Sequence, residues 1–180
     1  MKGIGKVICL HPLGFNTPAY ISSVFNLPSY GNSSLCFSVR GHPRGDCRVI
    51  VQISSPNIVP QTIFDENIVG KMGWQQRKID ISSFKGNIVT VTLYHHSTGW
   101  AHEYLGIDYF YIFHQISDPF EFLDFYVGDK IEKWKKRGKF EKSSEYSERI
   151  SQQNELKQFE IYKQEAIEIA AKAKINWKSA

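Results

Sequence analysis

The densest collection of reactive side chains is Tyr94-His95-His96-Ser97-Thr98-Gly99-Trp100-Ala101-His102-Glu103. Three imidazoles and a carboxylate within nine residues are donor types that zinc accepts. Their spacing argues against a shared ion. His95 and His96 are adjacent, so on a strand they point to opposite faces. His102-Glu103 meets Gly106 where an H-E-x-x-H motif needs its second histidine. The same residues suit a polar ligand better. Trp100 offers a flat apolar face, while His95, His96, His102 and Glu103 offer hydrogen bonds. That pairing serves the C–H faces and hydroxyls of a sugar. The segment Arg40-Gly41-His42-Pro43-Arg44 adds Arg44 as an outlying contact for a carboxylate or sulfate. The alternative is a plain loop joining two strands.

Catalysis finds little support. There is no glycine-rich phosphate loop and no G-x-S-x-G elbow. Cys47 near His42 is the only cysteine–histidine pairing, and Asp65, Glu66 and Glu103 do not form an acid–base pair by spacing. The chain therefore reads as a binding module and not an enzyme. Asp108 stands alone in the apolar run Leu105-Gly106-Ile107-Asp108-Tyr109-Phe110-Tyr111-Ile112-Phe113. If it is buried, it needs a hydrogen-bond partner or a cation.

Composition places these residues on two unlike pieces. Residues 1–117 hold nine of the 22 Lys/Arg and six of the 18 Asp/Glu, and all six histidines. The remainder is densely charged and poor in glycine, so 1–117 is expected to be turn-rich β structure and 118–180 helical. Strict alternation marks Leu35/Phe37/Val39, Val49/Val51/Ile53 and Val89/Val91/Leu93 as inward rows. Further strands are expected over 4–10, 18–27, 61–69, 76–81 and 105–114. About eight short strands with no helices between them predict two antiparallel sheets face to face. Strand 105–114, apolar on both faces, is expected at the centre of its sheet, with the helical piece as cover.

In the second piece, Phe122, Phe125, Ile131 and Trp134 predict a helix over 120–137 ended by Gly138. A long helix is expected from an N-cap at Ser143 or Ser144 to about Lys174. Its stripe would run Leu156, Phe159, Tyr162, Ala166, Ile169, Ala173, Trp177, docking on the sandwich or on a protein partner. A structural or interaction domain of this kind, with no small ligand, is the alternative function. The net charge of +4 is too small and dispersed for nucleic acid, and no apolar run reaches the ~20 residues of a membrane span. Three cysteines leave one unpaired, which favours thiols over disulfides.

Two resemblances add to this reading. Trp74 followed by Lys78-Ile79-Asp80-Ile81-Ser82-Ser83-Phe84-Lys85-Gly86 and Val89-Thr90-Val91-Thr92-Leu93, with Trp100…Ile107-Asp108-Tyr109-Phe110-Tyr111-Ile112, resembles the last strands of galactose-binding-like jelly rolls. That likeness implies a carbohydrate-binding-module-like sandwich over about 4–116. It also implies a calcium ion near the chain ends, for which Asp108 and Glu103 are the candidates. The fold hosts many binding functions, so it names none. Trp134…Gly138-Lys139-Phe140-Glu141…Tyr146…Arg149 is similar to a segment of uncharacterised multidomain proteins of Bacteroidetes type. This implies a fragment or short relative of a larger surface-associated protein. The start shows no signal peptide; an extracytoplasmic location follows if the chain is such a fragment.

Overall fold

A computed structural model describes residues 7–99, 101–116 and 118–172. The chain divides into two compact units, 1–115 and 116–180.

The first unit has eight strands: β1 (Ile8–Leu10), β2 (Ala19–Asn26), β3 (Asn32–Gly41), β4 (Asp46–Ser55), β5 (Ile58–Val69), β6 (Gln75–Asp80), β7 (Ile88–Ser97) and β8 (Leu105–Gln115). One sheet has the order β1-β8-β3-β6 and the other β2-β7-β4-β5. Every pairing is antiparallel. The three alternating rows named above are all fully buried and form one core. Phe37 meets Phe64 edge-on at 5.3 Å between centroids. Burying each such side chain contributes about 1.5–3 kcal/mol, and the alternation is what lets two sheets share these rows.

β8 sits between β1 and β3, inside its sheet. Its register against β3 shifts between Ser38, opposite Tyr109, and Val39, opposite Ile107. Asp108 is the extra residue of this bulge. A bulge reverses the in–out parity of the residues beyond it. Leu105 and Ile107 are buried, whereas after the bulge Phe110 and Ile112 join the core and Tyr111 and Phe113 are 46% and 40% exposed. The expected burial of Asp108 is thus corrected: its side chain is exposed, because the bulge lifts it out of the ladder.

The second unit has α1 (Pro119–Lys135), α2 (Ser143–Arg149) and α3 (Gln152–Lys172). Asp118 caps α1, accepting from Phe120 N at 2.9 Å, with Pro119 at the first turn. Gly138 does not end α1 as a left-handed cap; α1 stops at Lys135, and Gly138 N donates to Glu141 Oε2 at 3.0 Å. The single long helix expected after Ser143 is two helices. The chain turns at Ile150, and Glu155 N then bonds Ser151 O at 2.9 Å to start α3. The helix begins one residue earlier than expected, with Lys142 at the cap and Glu145 reaching back to its N–H at 3.1 Å.

The expected α3 stripe is also rotated. Ala166 and Ala170 are fully buried, while Leu156, Phe159 and Ile169 are exposed. Small residues four apart let α1 approach closely, and Tyr126 and Lys130 of α1 meet Glu165 beside them. Ala173 and Trp177 lie outside the described residues. No helix among the described residues is long and apolar enough to cross a membrane.

The W-x3-G-x-F-E-x4-Y-x2-R residues close one knot, except Phe140, which is 91% exposed. Arg149 Nε and Nη2 donate to the two Glu141 carboxylate oxygens at 2.6 and 3.0 Å. The same guanidinium reaches the Trp134 and Lys136 carbonyls and lies 5.2 and 5.5 Å from the Trp134 and Tyr146 ring centroids. Bonding to Arg149, and then to Gly138 N, holds Glu141 down to about 2. Motif and geometry together assign these residues to fixing the α1–α2 turn.

Candidate functional site

Three loops meet at one end of the sandwich: 11–18 after β1, 42–45 between β3 and β4, and 98–104 between β7 and β8. The first is tightened by Thr17 N donating to Gly14 O at 3.2 Å. Close backbone approach nests the second loop. A Cβ on Gly70 would lie 1.7 Å from His42 O, and one on Gly45 would lie 2.8 Å from His102 O. Gly70 N donates to Gly45 O, and His42 N to Tyr104 O. Glycine at 45 and 70 is therefore required for the loops to interlock.

Between the first and third loops lies a cavity of about 170 Å³ lined by His11, Leu13, Phe15, Ser97, His102 and Glu103 among others. Glu103 is 7% exposed. Its Oε2 accepts from Thr98 N at 3.2 Å, and no cationic side chain pairs with it among the described residues. Thr98 Oγ1 in turn binds the Asp46 carbonyl and carboxylate, each at 3.0 Å, fixing that loop to β4. Ser97 Oγ donates to Gly99 O at 2.7 Å. His102 adopts φ 66°, a left-handed conformation that non-glycine residues hold only when their surroundings fix it. What fixes it is a stack on His42, 4.4 Å between centroids and 8° from parallel. Desolvation pushes His42 below its ordinary value, helped by His102 and Arg44.

The structure sorts the expected ligand residues. His102 and Glu103 line the cavity. Arg44 is exposed on the neighbouring loop, its N–H donating to His42 Nδ1 at 3.2 Å. His96 turns away, onto the outer face of the second sheet beside Tyr94, as strand alternation requires. His95 is corrected as a ligand group: it is fully buried in line with Val91 and Leu93. Trp100 lies outside the described residues. Asp108, one of the two calcium candidates, is exposed on the β8 bulge, and the described residues hold no group of three or more His, Cys, Asp or Glu side chains able to take a metal. Cys47 is no nucleophile; burial, then Glu103 and Asp46, push its thiol up to about 12. All three cysteines are free.

Sequence reasoning missed His11, Leu13 and Phe15. The available signal was two apolar residues flanking Gly14 in a turn, where Leu13 is 91% and Phe15 51% exposed.

No family model matches the chain, and no curated protein matches it. Among solved structures it is similar to TmCBM61 in complex with β-1,4-galactotriose, at 18% identity over 61% of this chain and 69% of that one, TM-score 0.44. It is similar to the EclA C-terminal domain, a sugar-binding protein, at 7% identity over 63% and 81%, TM-score 0.47. A third is the K1 cleaved adhesin domain of Lys-gingipain from Porphyromonas gingivalis W83, at 16% identity over 61% and 73%, TM-score 0.43.

Proposed function

We propose that this chain is a non-catalytic accessory module that recognises carbohydrate through the strand-end cavity. The carrying observation is Glu103. A carboxylate 7% exposed that accepts one N–H among the described residues has lone pairs left for further donors. Sugar hydroxyls are such donors. Phe15 and His102, lining the same cavity, supply flat faces for a ring. The volume, about 170 Å³, is below the ~300–1,000 Å³ of drug-sized pockets. It therefore takes one sugar ring and leaves the rest of a chain in solvent.

A glycan array followed by calorimetric titration of the best hit tests this. Glu103→Gln keeps the shape but removes the charge. It is expected to weaken binding roughly ten- to hundred-fold, the worth of hydrogen bonds to a charged group. Absence of binding to any glycan, or equal affinity in the variant, refutes the reading.

A further inference from the structure

The helical unit carries a surface that its own packing leaves open. α1 and α3 run antiparallel: Lys135 pairs with Glu155 near one end, and Tyr126 Oη donates to Glu165 Oε2 at 3.1 Å towards the other. Two helices side by side bury the stripe between them and leave an apolar margin on each. Here the margins form a groove of about 320 Å³, lined by Phe120, Asp124, Gly128, Phe159 and Lys163 among others. Phe120 is 65% and Phe159 44% exposed.

Gly128 is the odd residue of α1. Glycine inside a helix is less stable than alanine, and a Cβ at 128 would meet nothing within 4 Å. The unit itself gives no steric reason for the missing side chain. A notch of this kind lets a neighbouring element pack closely. The charges of the groove point the same way. Among the described residues Asp124 enters no ion pair, and Lys163 meets only Glu160, at 3.8 Å on its own helix. The groove thus offers one acid from α1 and one base from α3.

These residues form two rows. Phe120, Asp124 and Gly128 are four apart along α1, and Phe159, Lys163 and Ile167 are four apart along α3, so each row is one ridge of its helix. A constant offset of 39 positions joins Phe120 to Phe159, Asp124 to Lys163 and Gly128 to Ile167. A twofold axis normal to the helix pair lays α3 of one copy parallel to α1 of the other. One register then makes all three contacts, each of them twice: ring on ring, carboxylate on ammonium, and Ile167 over the Gly128 notch. For that offset the axis passes at the level of Tyr126 and Glu165, the middle of the groove.

We infer that the groove is a dimer interface, filled by the same groove of a second copy so that the two helix pairs close a four-helix bundle. The size is sufficient. α1 is about 25 Å long and two helices are about 20 Å wide, a footprint of about 500 Å² per copy. The total of about 1,000 Å² reaches the range of specific interfaces. This inference does not rest on the carbohydrate reading.

Sedimentation velocity and light scattering of the full chain across the micromolar range test it. A concentration-dependent rise to twice the mass of the chain is expected. Asp124→Lys and Lys163→Asp each set like charges together at both symmetric contacts, and each is expected to weaken the dimer roughly ten-fold or more. Mixed in equal amounts, the two variants present opposite charges at both contacts and are expected to form a heterodimer. That rescue separates a second copy from any other occupant of the groove. Gly128→Gln fills the notch with a better helix former. It is expected to abolish the dimer while circular dichroism shows the helix content kept. A chain that stays monomeric throughout the range overturns the inference. So does a dimer that survives the charge reversals or Gly128→Gln, or a failure of the two reversed variants to pair when mixed.

Discussion

His95 gives the sharpest quantitative test of the sandwich. It occupies the inward row of β7 and is fully buried, and neither ring nitrogen has a partner in hydrogen-bond geometry. Desolvation is the largest influence on it. The His11 imidazole adds to this, the Leu10 backbone opposes it, and its pKa falls from 6.5 to about 4. The unfolded chain therefore binds the proton that the folded chain refuses throughout that window. Stability from the neutral imidazole is complete above 6.5 and is lost as the pH drops to about 4. At about 1.4 kcal/mol per tenfold in proton affinity, the loss is about 3 kcal/mol, a large share of the ~5–15 kcal/mol typical of a domain.

The assay is urea denaturation at pH 7.5 and pH 4, following the sandwich by the amide cross-peaks of β4 and β7, for the wild type and for His95→Leu. Other groups of the chain also respond to pH, so the quantity of interest is the difference between the two proteins. The wild type is expected to lose about 3 kcal/mol more than the variant. A ring-proton titration of His95 by NMR, with its midpoint near 4, is the direct counterpart. Equal losses in the two proteins, or a midpoint above 6, would refute the reasoning that this imidazole is sealed in the core.

Other outcomes follow from the same geometry. Glu141, held from 4.5 down to about 2, stabilises the α1–α2 knot above its unfolded value and loses that effect as the pH falls through about 2. Glu141→Gln should lower the melting temperature of the helical transition at pH 7, and the gap should close near pH 2 in calorimetry. Gly70→Ala drives a methyl against the His42 carbonyl and should cost about 1–3 kcal/mol in urea denaturation; an unchanged midpoint means the loops do not interlock as described. Deleting Asp108 removes the extra residue and leaves Ile107 inward, Tyr109 outward and Phe110 inward in a regular ladder against β3, so cooperative thermal unfolding should be kept; its loss would mean that Asp108 is not the residue the register skips. Asp108→Ser, which keeps the count, should stay within about 0.5 kcal/mol of wild type.

The sandwich was legible because its information is local. Rows such as Val49/Val51/Ile53 and Val89/Val91/Leu93 alternate without interruption, and period two admits one reading when Gly and Pro punctuate both ends. The helical unit was less legible. Leu156, Phe159 and Ile169 make a regular apolar stripe, yet the buried residues of α3 are Ala166 and Ala170. Hydrophobicity reports what can be buried, and close approach selects small residues instead. The break at Ile150 carries no glycine or proline to announce it.

The strand-end residues were half-legible for a different reason. His102 and Glu103 follow from a polar loop with an aromatic neighbour, but the cavity also needs His11 and Phe15, some 90 positions away in the chain. Only the antiparallel pairing of β1 with β8, Leu10 opposite Leu105, brings those loops together.

Strand β8 shows what a single extra residue does to a strand's reading. Read at constant parity, Leu105-Gly106-Ile107-Asp108-Tyr109-Phe110-Tyr111 is apolar on both faces and asks for a cover. One residue's slip relative to β3 changes the question. Leu105, Ile107, Phe110 and Ile112 all reach the core, and the tyrosines are left outside by construction. Asp108 is then polar because it is the residue the ladder ejects, and Gly106 is small because Trp74 lies over it. Asp108 and the outward tyrosines share one cause, the slip against β3, and Gly106 answers to Trp74 instead. Tyr111 and Phe113 stay 46% and 40% exposed because the slip, and not their hydrophobicity, decides which face they take.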